Sequence, residues 1–277
     1  MAIALPLLFG GCQPEPALLR EARKATLVHE MRDALLASVE AEKSAVLAVT
    51  DEESHAFAEE SRKRTGEMTR LQESLQGLVT ADGRPGEIEK LAAFDTVWGE
   101  LRDVDQRLLA LAVANSNLKA AWLAAGDSAR TLDRLVDALA AVEAATSDAA
   151  LLRDLSAAAV AALRIHTALA PHIASPDDAE MTRMEEQIRT RGDIVKRALD
   201  AAREHGPTAA AAQVADATAA WGDYQRLTAD VLRLSRLNTN VRSVDVSLHE
   251  KRRVTAACRE ALTALLEQIH ARANPTR

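Results

Sequence analysis

Aromatic residues, glycine and proline are all scarce in this chain of 277 residues. Aromatic side chains make up 3% of it, and there are 11 glycines and 8 prolines. Runs in which apolar and polar residues alternate are missing, which argues against β-sheet. Hydrophobic residues still reach 48%, with Ala and Leu prominent among them, and charged residues make up 27%. This composition predicts an all-α protein built from long, closely packed helices.

Cysteine and clustered positive charge are scarce as well. The two cysteines, Cys12 and Cys258, do not suggest a disulfide framework. Cys258 falls on the apolar stripe of the last predicted helix, where we expect a small buried hydrophobe. The net charge is −7, and no basic patch is interleaved with aromatics, so nucleic acid is not an expected partner. The strongest basic cluster, Lys251-Arg252-Arg253, is expected to form a solvated helix face.

The N-terminus reads MAIALPLLFGG and is followed by Cys12. This apolar run is too short to span a bilayer, which takes about 20 residues, but it has the length of a signal-peptide core. The stretch resembles the bacterial lipobox, whose cysteine is lipidated, although Phe9 stands where that motif prefers Leu and a basic n-region is absent. The resemblance implies a signal over 1–12, a tether over 13–16 and a lipoprotein of the cell envelope that faces the periplasm or exterior. The alternative is an apolar tail with an incidental cysteine.

An internal repeat organises the rest of the chain. Trp98-Gly99 matches Trp221-Gly222 at an offset of 221 − 98 = 123. The same offset matches Asn115-Ser116-Asn117 with Asn238-Thr239-Asn240, and it continues without a gap into the last predicted helix of each copy. Two specific matches at one offset indicate an ancient duplication.

Apolar spacing and helix breaks divide each copy into four helices. A stripe with steps of three and four residues predicts a helix that packs into its neighbours. Its members are Phe94, Val97, Leu101, Val104, Leu108 and Leu111. Breaks at intervals of about 30 residues, or about 45 Å of helix, predict up-down-up-down bundles. We therefore predict one four-helix bundle over 17–146 and a second over 147–273, stacked end to end, with side-by-side packing as the alternative.

Two stretches resemble a known sensor family. The segment Ala41 to Leu75 is similar to the first hairpin of the four-helix-bundle sensor domain of methyl-accepting chemotaxis proteins, and Leu109 to Leu123 is similar to a later turn of that domain. The resemblance implies a sensor-type fold outside the membrane that detects small molecules or a binding protein. Because the family's transmembrane helices, relay domain and cytoplasmic coiled coil are not recognised here, it does not imply a chemoreceptor's activity.

Catalytic and metal-binding patterns have little support. Two Glu-x-x-His motifs end at His55 and His270, but they fall in different copies and are not expected to converge on a di-iron site. His166 and His172 are six residues apart and point to different faces, so no haem ligation is expected. Nucleophile and phosphate-loop motifs are missing. We therefore expect no catalytic site, no metal and no cofactor.

The recurrent polar feature is the pair of Asn-x-Asn turns. The simpler interpretation is that they cap helices. The functional hypothesis is a polar rim at one bundle end, where Arg242 would bind a ligand carboxylate. The rim would be formed by Asn115, Asn117, Lys119, Asn238, Asn240 and Arg242. Trp98 and Trp221 are placed off the main stripe, where they could flank a cleft or mark an inter-helix or dimer contact, and helix packing is the simpler interpretation.

These observations leave three function classes. The first is a non-enzymatic, membrane-tethered sensor-like protein that binds an unidentified small molecule or protein partner. The second is a structural envelope protein that uses its helices as a spacer or as a dimerisation surface, and a homodimer is plausible. The third, an enzyme or metalloprotein, has the weakest support. An inter-helix pocket with convergent polar groups would favour the first class.

Overall fold

A computed structural model describes residues 17–271, and every regular element in that range is helical. The all-α prediction is therefore confirmed. The predicted signal, Cys12 and the tether lie outside the described residues. The helices are α1 (Ala17–Leu47), α2 (Asp51–Asp82), α3 (Pro85–Ala114), α4 (Ser116–Leu123), α5 (Ala129–Ala145), α6 (Ala149–Ala174), α7 (Asp178–His205), α8 (Ala211–Leu237), α9 (Thr239–Val246) and α10 (Arg252–His270).

The helix ends follow the capping residues that the sequence offers. Thr50 Oγ1 accepts a hydrogen bond from the Glu53 amide at the start of α2. Asp148 accepts from two amides of α6, and Asp177 does the same for α7. Such side-chain oxygens satisfy amides that a helix start leaves without an intrahelical partner. Gly83 ends α2 with φ +60°, a left-handed conformation that glycine adopts without strain.

The described chain forms two compact units, and each contains four long helical segments. Unit 1 comprises residues up to 44, residues 56–107 and residues from 248 onward, so it holds most of α1, α2 and α3 together with α10. Unit 2 comprises residues 45–55 and 108–247, so it holds α4 to α9 and the short ends of the first three helices. Within unit 2, α6 packs against α7 and α5 packs against α8, while α5–α6 and α7–α8 contacts close the bundle.

The units differ from the predicted segments 17–146 and 147–273. Each unit takes its fourth helix from the other sequence copy: α10 belongs to the second copy but packs in unit 1, and α4–α5 belongs to the first copy but packs in unit 2. The apolar stripes of the two fourth helices are alike, with Leu139 and Leu262 both buried at matched positions. The hydrophobic pattern alone therefore does not determine which fourth helix packs in which unit. End-to-end stacking of the bundles stays a prediction.

The buried stripe of α3 agrees with the predicted one at four of six positions, Phe94, Leu101, Val104 and Leu108. Trp98 is buried and lies on it, whereas Val97 and Leu111 are only partly buried. The buried residues from 91 to 112 are Leu91, Phe94, Trp98, Leu101, Val104, Asp105, Leu108, Leu109 and Ala112. The placement of Trp98 and Trp221 off the main stripe was therefore wrong, because both large side chains turn into the bundle interior.

Two helical stretches have the length and apolar composition of a membrane span. They are Pro85–Ala145 and Ala149–Ala174, and their most apolar windows are 44% and 39% buried within the described protein. Core helices of a globular bundle meet the same criteria, so length and composition here are weak support for a membrane span.

Lys251 contradicts the prediction of a solvated basic cluster. It is 1% exposed and forms an ion pair with Asp105, which is also buried in unit 1. Burial raises the pKa of Asp105, and the attraction of Lys251 opposes that rise. Arg252 and Arg253 are exposed, as predicted for the cluster as a whole. Cys258 is fully buried as expected, and its burial raises the pKa of the thiol to about 12.

Candidate functional site

The two Asn-x-Asn turns meet in unit 2. Asn115 and Asn238 adopt the left-handed conformation, with φ 50° and 52°, where the helical path bends between α3 and α4 and between α8 and α9. Asn is among the residues that tolerate this region. Neither side chain makes the capping hydrogen bond expected at these positions. The bends instead place α4 against α9.

Two residues of each turn exchange hydrogen bonds in pairs: each donates to its equivalent in the other copy and accepts from it. The Ser116 amide donates to Thr239 Oγ1 at 3.0 Å, and the Thr239 amide donates to Ser116 Oγ at 3.0 Å. The Asn117 and Asn240 amides donate to each other's Oδ1 at 3.1 and 3.2 Å. Each partner lies 123 residues from its equivalent, so the two copies contact each other through the same atoms, as in an isologous interface.

The remaining amide groups of the turns are also engaged. Asn115 Nδ2 donates to Ser54 and Asp51, Asn238 Nδ2 donates to the Ser175 carbonyl, and Asn117 Nδ2 donates to Asn238 Oδ1. Asn115, Asn117 and Asn238 are buried. A ligand at this place would have to displace internal hydrogen bonds, which favours a structural role for these side chains.

The two cations proposed for the polar rim lie at the edge of these turns. Lys119 forms an ion pair with Asp51 at 3.3 Å, and Arg242 is exposed on α9. Burial pushes the pKa of Asp51 upward, but the hydrogen bonds from Asn115 and Lys119 outweigh it and hold the pKa below the ordinary value. The structure therefore brings the four asparagines together but gives Arg242 no cavity among those described in unit 2.

A cleft between α7 and α8 combines aromatic, apolar and charged side chains in its lining. Its volume is about 540 Å³, within the range of small-molecule sites. Trp221 and Tyr224 form its aromatic part, with ring centroids 6.0 Å apart and planes tilted by 33°. Its remaining lining mixes apolar, basic and acidic side chains: Ile165, Glu185, Ile188, Arg189, Gly192, Asp193, Lys196, Gln225, Thr228, Ala229, Leu232, Arg233 and Arg236.

One end of the cleft is fixed by a buried polar chain. His172 is fully buried on α6, with Nδ1 2.8 Å from Ser235 Oγ and Nε2 3.0 Å from Glu185 Oε1. Arg236 Nε donates to the same carboxylate at 2.7 Å. The hydrogen bond from Arg236 holds the pKa of Glu185 below its ordinary value, while burial lowers the pKa of His172. Glu185 is therefore an ionised anchor for both neighbours.

Three hydroxyl groups lie deep in unit 2 beside the cleft. Tyr224, Thr228 and Ser128 are buried, and their oxygens complete no hydrogen bond of good geometry within the described residues. Burial raises the pKa of Tyr224 to about 12, and the nearby Thr228 and Ser128 hydroxyls oppose the rise. Buried hydroxyls of this kind are suited to a water or a ligand polar group.

The matched region of unit 1 is filled. Trp98 stacks on Phe94, with centroids 6.3 Å apart, and the Arg102 guanidinium lies 5.8 Å from the centre of its ring. At the repeat offset of 123, Phe94 corresponds to Ala217 and Arg102 corresponds to Gln225. Gln225 lines the cleft, so the position from which Arg102 covers Trp98 holds an uncharged residue beside the aromatic pair of unit 2.

Metal-ligand side chains do not cluster in the part of the chain that the structure describes: it holds no group of three or more His, Cys, Asp or Glu placed to bind an ion. His55 and His270 belong to different units. His166 is partly buried beside Tyr224, with ring centroids 6.4 Å apart. These histidines therefore give no coordination geometry from which a metal reaction could be argued.

No protein-family model, curated protein or solved structure matches this chain. The assignment of the site therefore rests on its geometry.

The sequence indicated Trp221 as a possible cleft residue but did not indicate Arg189, Arg233 or Tyr224. The available signal was the repeat itself: aligned at 123, the second copy replaces Phe94 and Leu101 with Ala217 and Tyr224 on an otherwise matched stripe.

Proposed function

We propose that this chain is a non-enzymatic, sensor-like protein that binds a small molecule in the α7–α8 cleft of unit 2. The observation that carries the proposal is a cleft in which apolar and aromatic walls meet a few placed polar groups. Binding sites for small molecules usually combine these features. The chemotaxis-sensor resemblance and a lipid anchor at Cys12, which would place the protein at the cell envelope, are further parts of the same proposal.

The cleft is supported by a rigid polar frame. Glu185 is held by both His172 and Arg236 before any ligand enters. Side chains that are ordered in advance lose less entropy on binding, so a pre-formed site favours affinity. In contrast, the asparagine turns present few groups that are free to change partners. The cleft is therefore the better candidate site than the proposed rim.

A thermal-shift screen of the full chain tests the proposal. Amino acids, organic acids, aromatic acids and divalent metals would be added singly, because a ligand that binds only the native state raises the unfolding midpoint. Gly192→Leu should abolish the shift, since a side chain at this position projects toward Trp221 and fills the cleft. Gly222→Leu is the matched control, because a Cβ at Gly222 meets nothing within 4 Å.

The two remaining outcomes discriminate between function classes. A shift that survives Gly192→Leu would place the ligand elsewhere and overturn the cleft assignment. The absence of a shift from every compound would favour the second class, a spacer or dimerisation protein, and sedimentation of the full chain would then measure its oligomeric state.

A further inference from the structure

The charges that line the cleft favour an anion. Four basic side chains, Arg189, Lys196, Arg233 and Arg236, face two acidic ones, Glu185 and Asp193, so the lining has a formal charge of 4 − 2 = +2. Arg236 and Glu185 already satisfy each other. Among the described residues, Arg189 and Lys196 form no ion pair or hydrogen bond through their side chains. Excess positive charge in a partly enclosed site attracts anionic ligands.

The guanidinium groups of Arg189 and Arg233 lie on facing helices at a similar height along the cleft. Arg236, at the end of α8, contacts Asp178 and Glu185 near the start of α7, so the two helices are antiparallel. Arg189 lies one turn beyond Glu185 on α7, and Arg233 lies one turn before Arg236 on α8. Among the described residues, the Arg233 side chain pairs with Asp230 alone, in an exposed ion pair at 3.2 Å, and such pairs contribute little to stability. Both guanidinium groups can therefore turn toward a carboxylate.

The aromatic part of the cleft lies nearer the N-terminal end of α8 than Arg233 does. Nine residues separate Tyr224 from Arg233, which corresponds to about 13 Å of helix. Small or uncharged side chains, including Thr228 and Ala229, line the space between them. The spacing along α7 is shorter: Gly192 borders Trp221, and Arg189 lies three residues before it, which corresponds to about 4.5 Å of helix. A ligand that reaches Trp221 and both arginines therefore needs a short chain between its ring and its acid group.

We infer that the cleft binds an aromatic acid whose ring and carboxylate are joined by a short chain. The carboxylate lies between Arg189 and Arg233, and the ring lies against Trp221, which packs in turn on the fully buried Tyr224. This inference rests on the proposed function and names the ligand class of the same site.

Isothermal titration of the full chain with three probes tests the ligand class. 3-Phenylpropionate carries ring, chain and carboxylate; its primary amide lacks the charge; benzoate lacks the chain. We expect 3-phenylpropionate to bind at least about tenfold more tightly than the amide, because hydrogen bonds to a charged group are the stronger ones. We expect benzoate to bind more weakly than 3-phenylpropionate, since it cannot reach both ends.

Variants locate the interaction. Arg189→Ala and Arg233→Ala should each weaken binding of 3-phenylpropionate by about tenfold. Arg197→Ala removes the same charge from an exposed place on α7 outside the cleft and should leave binding unchanged. Trp221→Phe should remove the ligand-dependent change in tryptophan fluorescence while retaining binding.

The outcomes separate this inference from the proposed function. Equal affinity for acid and amide, or full affinity in both arginine variants, would overturn the ligand class. Binding of another compound class that Gly192→Leu abolishes would also overturn the ligand class but would support the cleft. Failure of every probe and every screened compound to bind would overturn both.

Discussion

The two units solve the same packing problem with different chemistry at matched positions. Residues 105 and 228 are equivalent at the offset of 123, as are 128 and 251. In unit 1 the exchanged fourth helix brings Lys251 to Asp105, which gives a buried ion pair. In unit 2 the corresponding neighbours are Ser128 and Thr228, both buried hydroxyls. At these matched positions, unit 1 holds two buried charged side chains, whereas unit 2 holds two buried neutral ones beside a cleft.

This difference explains why the helices are exchanged between the copies. If each copy kept its own fourth helix, Asp105 would meet Ser128 and Lys251 would meet Thr228, so two buried charges would be left without ionic partners. A buried charge of this kind costs several kcal/mol. Exchange joins the two charges in unit 1 and leaves only neutral groups in unit 2. Each π-helical turn, Ala124–Ser128 and Ser247–Lys251, ends at one of these matched residues.

Removal of Lys251 should have the largest effect on stability. Lys251→Ala leaves Asp105 buried without its ionic partner, so we expect the free energy of unfolding to fall by about 3–5 kcal/mol. Denaturant unfolding followed by circular dichroism measures the loss. Amide exchange should accelerate mainly in α1, α2, α3 and α10, which form unit 1.

Two further variants test whether the stability loss comes from the buried ion pair. Ser128→Ala, at the equivalent place in unit 2, should change stability by less than about 1 kcal/mol because its hydroxyl has no hydrogen bond of good geometry to lose. The pair Asp105→Leu with Lys251→Met should recover most of the loss, since apolar residues can replace a buried ion pair. Equal losses for Lys251→Ala and Ser128→Ala would contradict the comparison.

Replacement of a left-handed asparagine should rank second. Asn238→Ala places an alanine at φ 52°, a left-handed conformation that strains it, and removes the side-chain hydrogen bonds to Asn117 and Ser175. We expect a loss of about 2–4 kcal/mol, from backbone strain together with broken buried hydrogen bonds. Asn238→Gly removes the strain but not the lost bonds, so it should lose less. A larger loss for the glycine variant would show that φ is not the constraint.

Much of the fold could be read from the sequence because local rules govern it. Thr50, Asp148 and Asp177 end or start helices where capping chemistry requires, and the repeat offset predicts both asparagine bends. The helix exchange could not be read from apolar spacing, because both fourth helices present equivalent stripes. Its signal was electrostatic: Asp105 and Lys251 are opposite charges on buried stripes of different copies. The cleft is lined by residues scattered over α6, α7 and α8, and no short sequence motif brings them together.

A buried histidine should make the stability of unit 2 depend on pH. Burial lowers the pKa of His172 below the ordinary value of 6.5. The unfolded chain therefore takes up a proton first as the pH falls, so stability is present above about pH 6.5 and is lost below it. Glu185 and Arg236 face the ring from α7 and α8. Amide exchange of α6–α8 at pH 7.5 and 5.5 measures the loss, with α1 and α2 as an internal reference.

Two histidine variants assign this pH dependence. His172→Gln should reduce it, because the amide does not titrate. The pKa of His166 is lowered in the same direction by burial, so His166→Asn should remove a further part and the double variant should be the least pH-dependent. An unchanged pH dependence in the double variant would mean that other groups of unit 2 control it.

The smallest expected effect concerns the glycine that borders the cleft. A Cβ at Gly192 would lie 3.6 and 3.7 Å from Trp221 ring atoms, which is ordinary contact, whereas a Cβ at Gly222 would meet nothing within 4 Å. Both glycines lie inside helices, so alanine at either should raise the free energy of unfolding by about 0.5–1 kcal/mol. Only Gly192→Ala should also weaken ligand binding, because its methyl group occupies space beside Trp221. If both variants gain stability and neither affects binding, the ligand does not reach Trp221, and the neutral, open interior of unit 2 is a packing difference between the copies without a binding role.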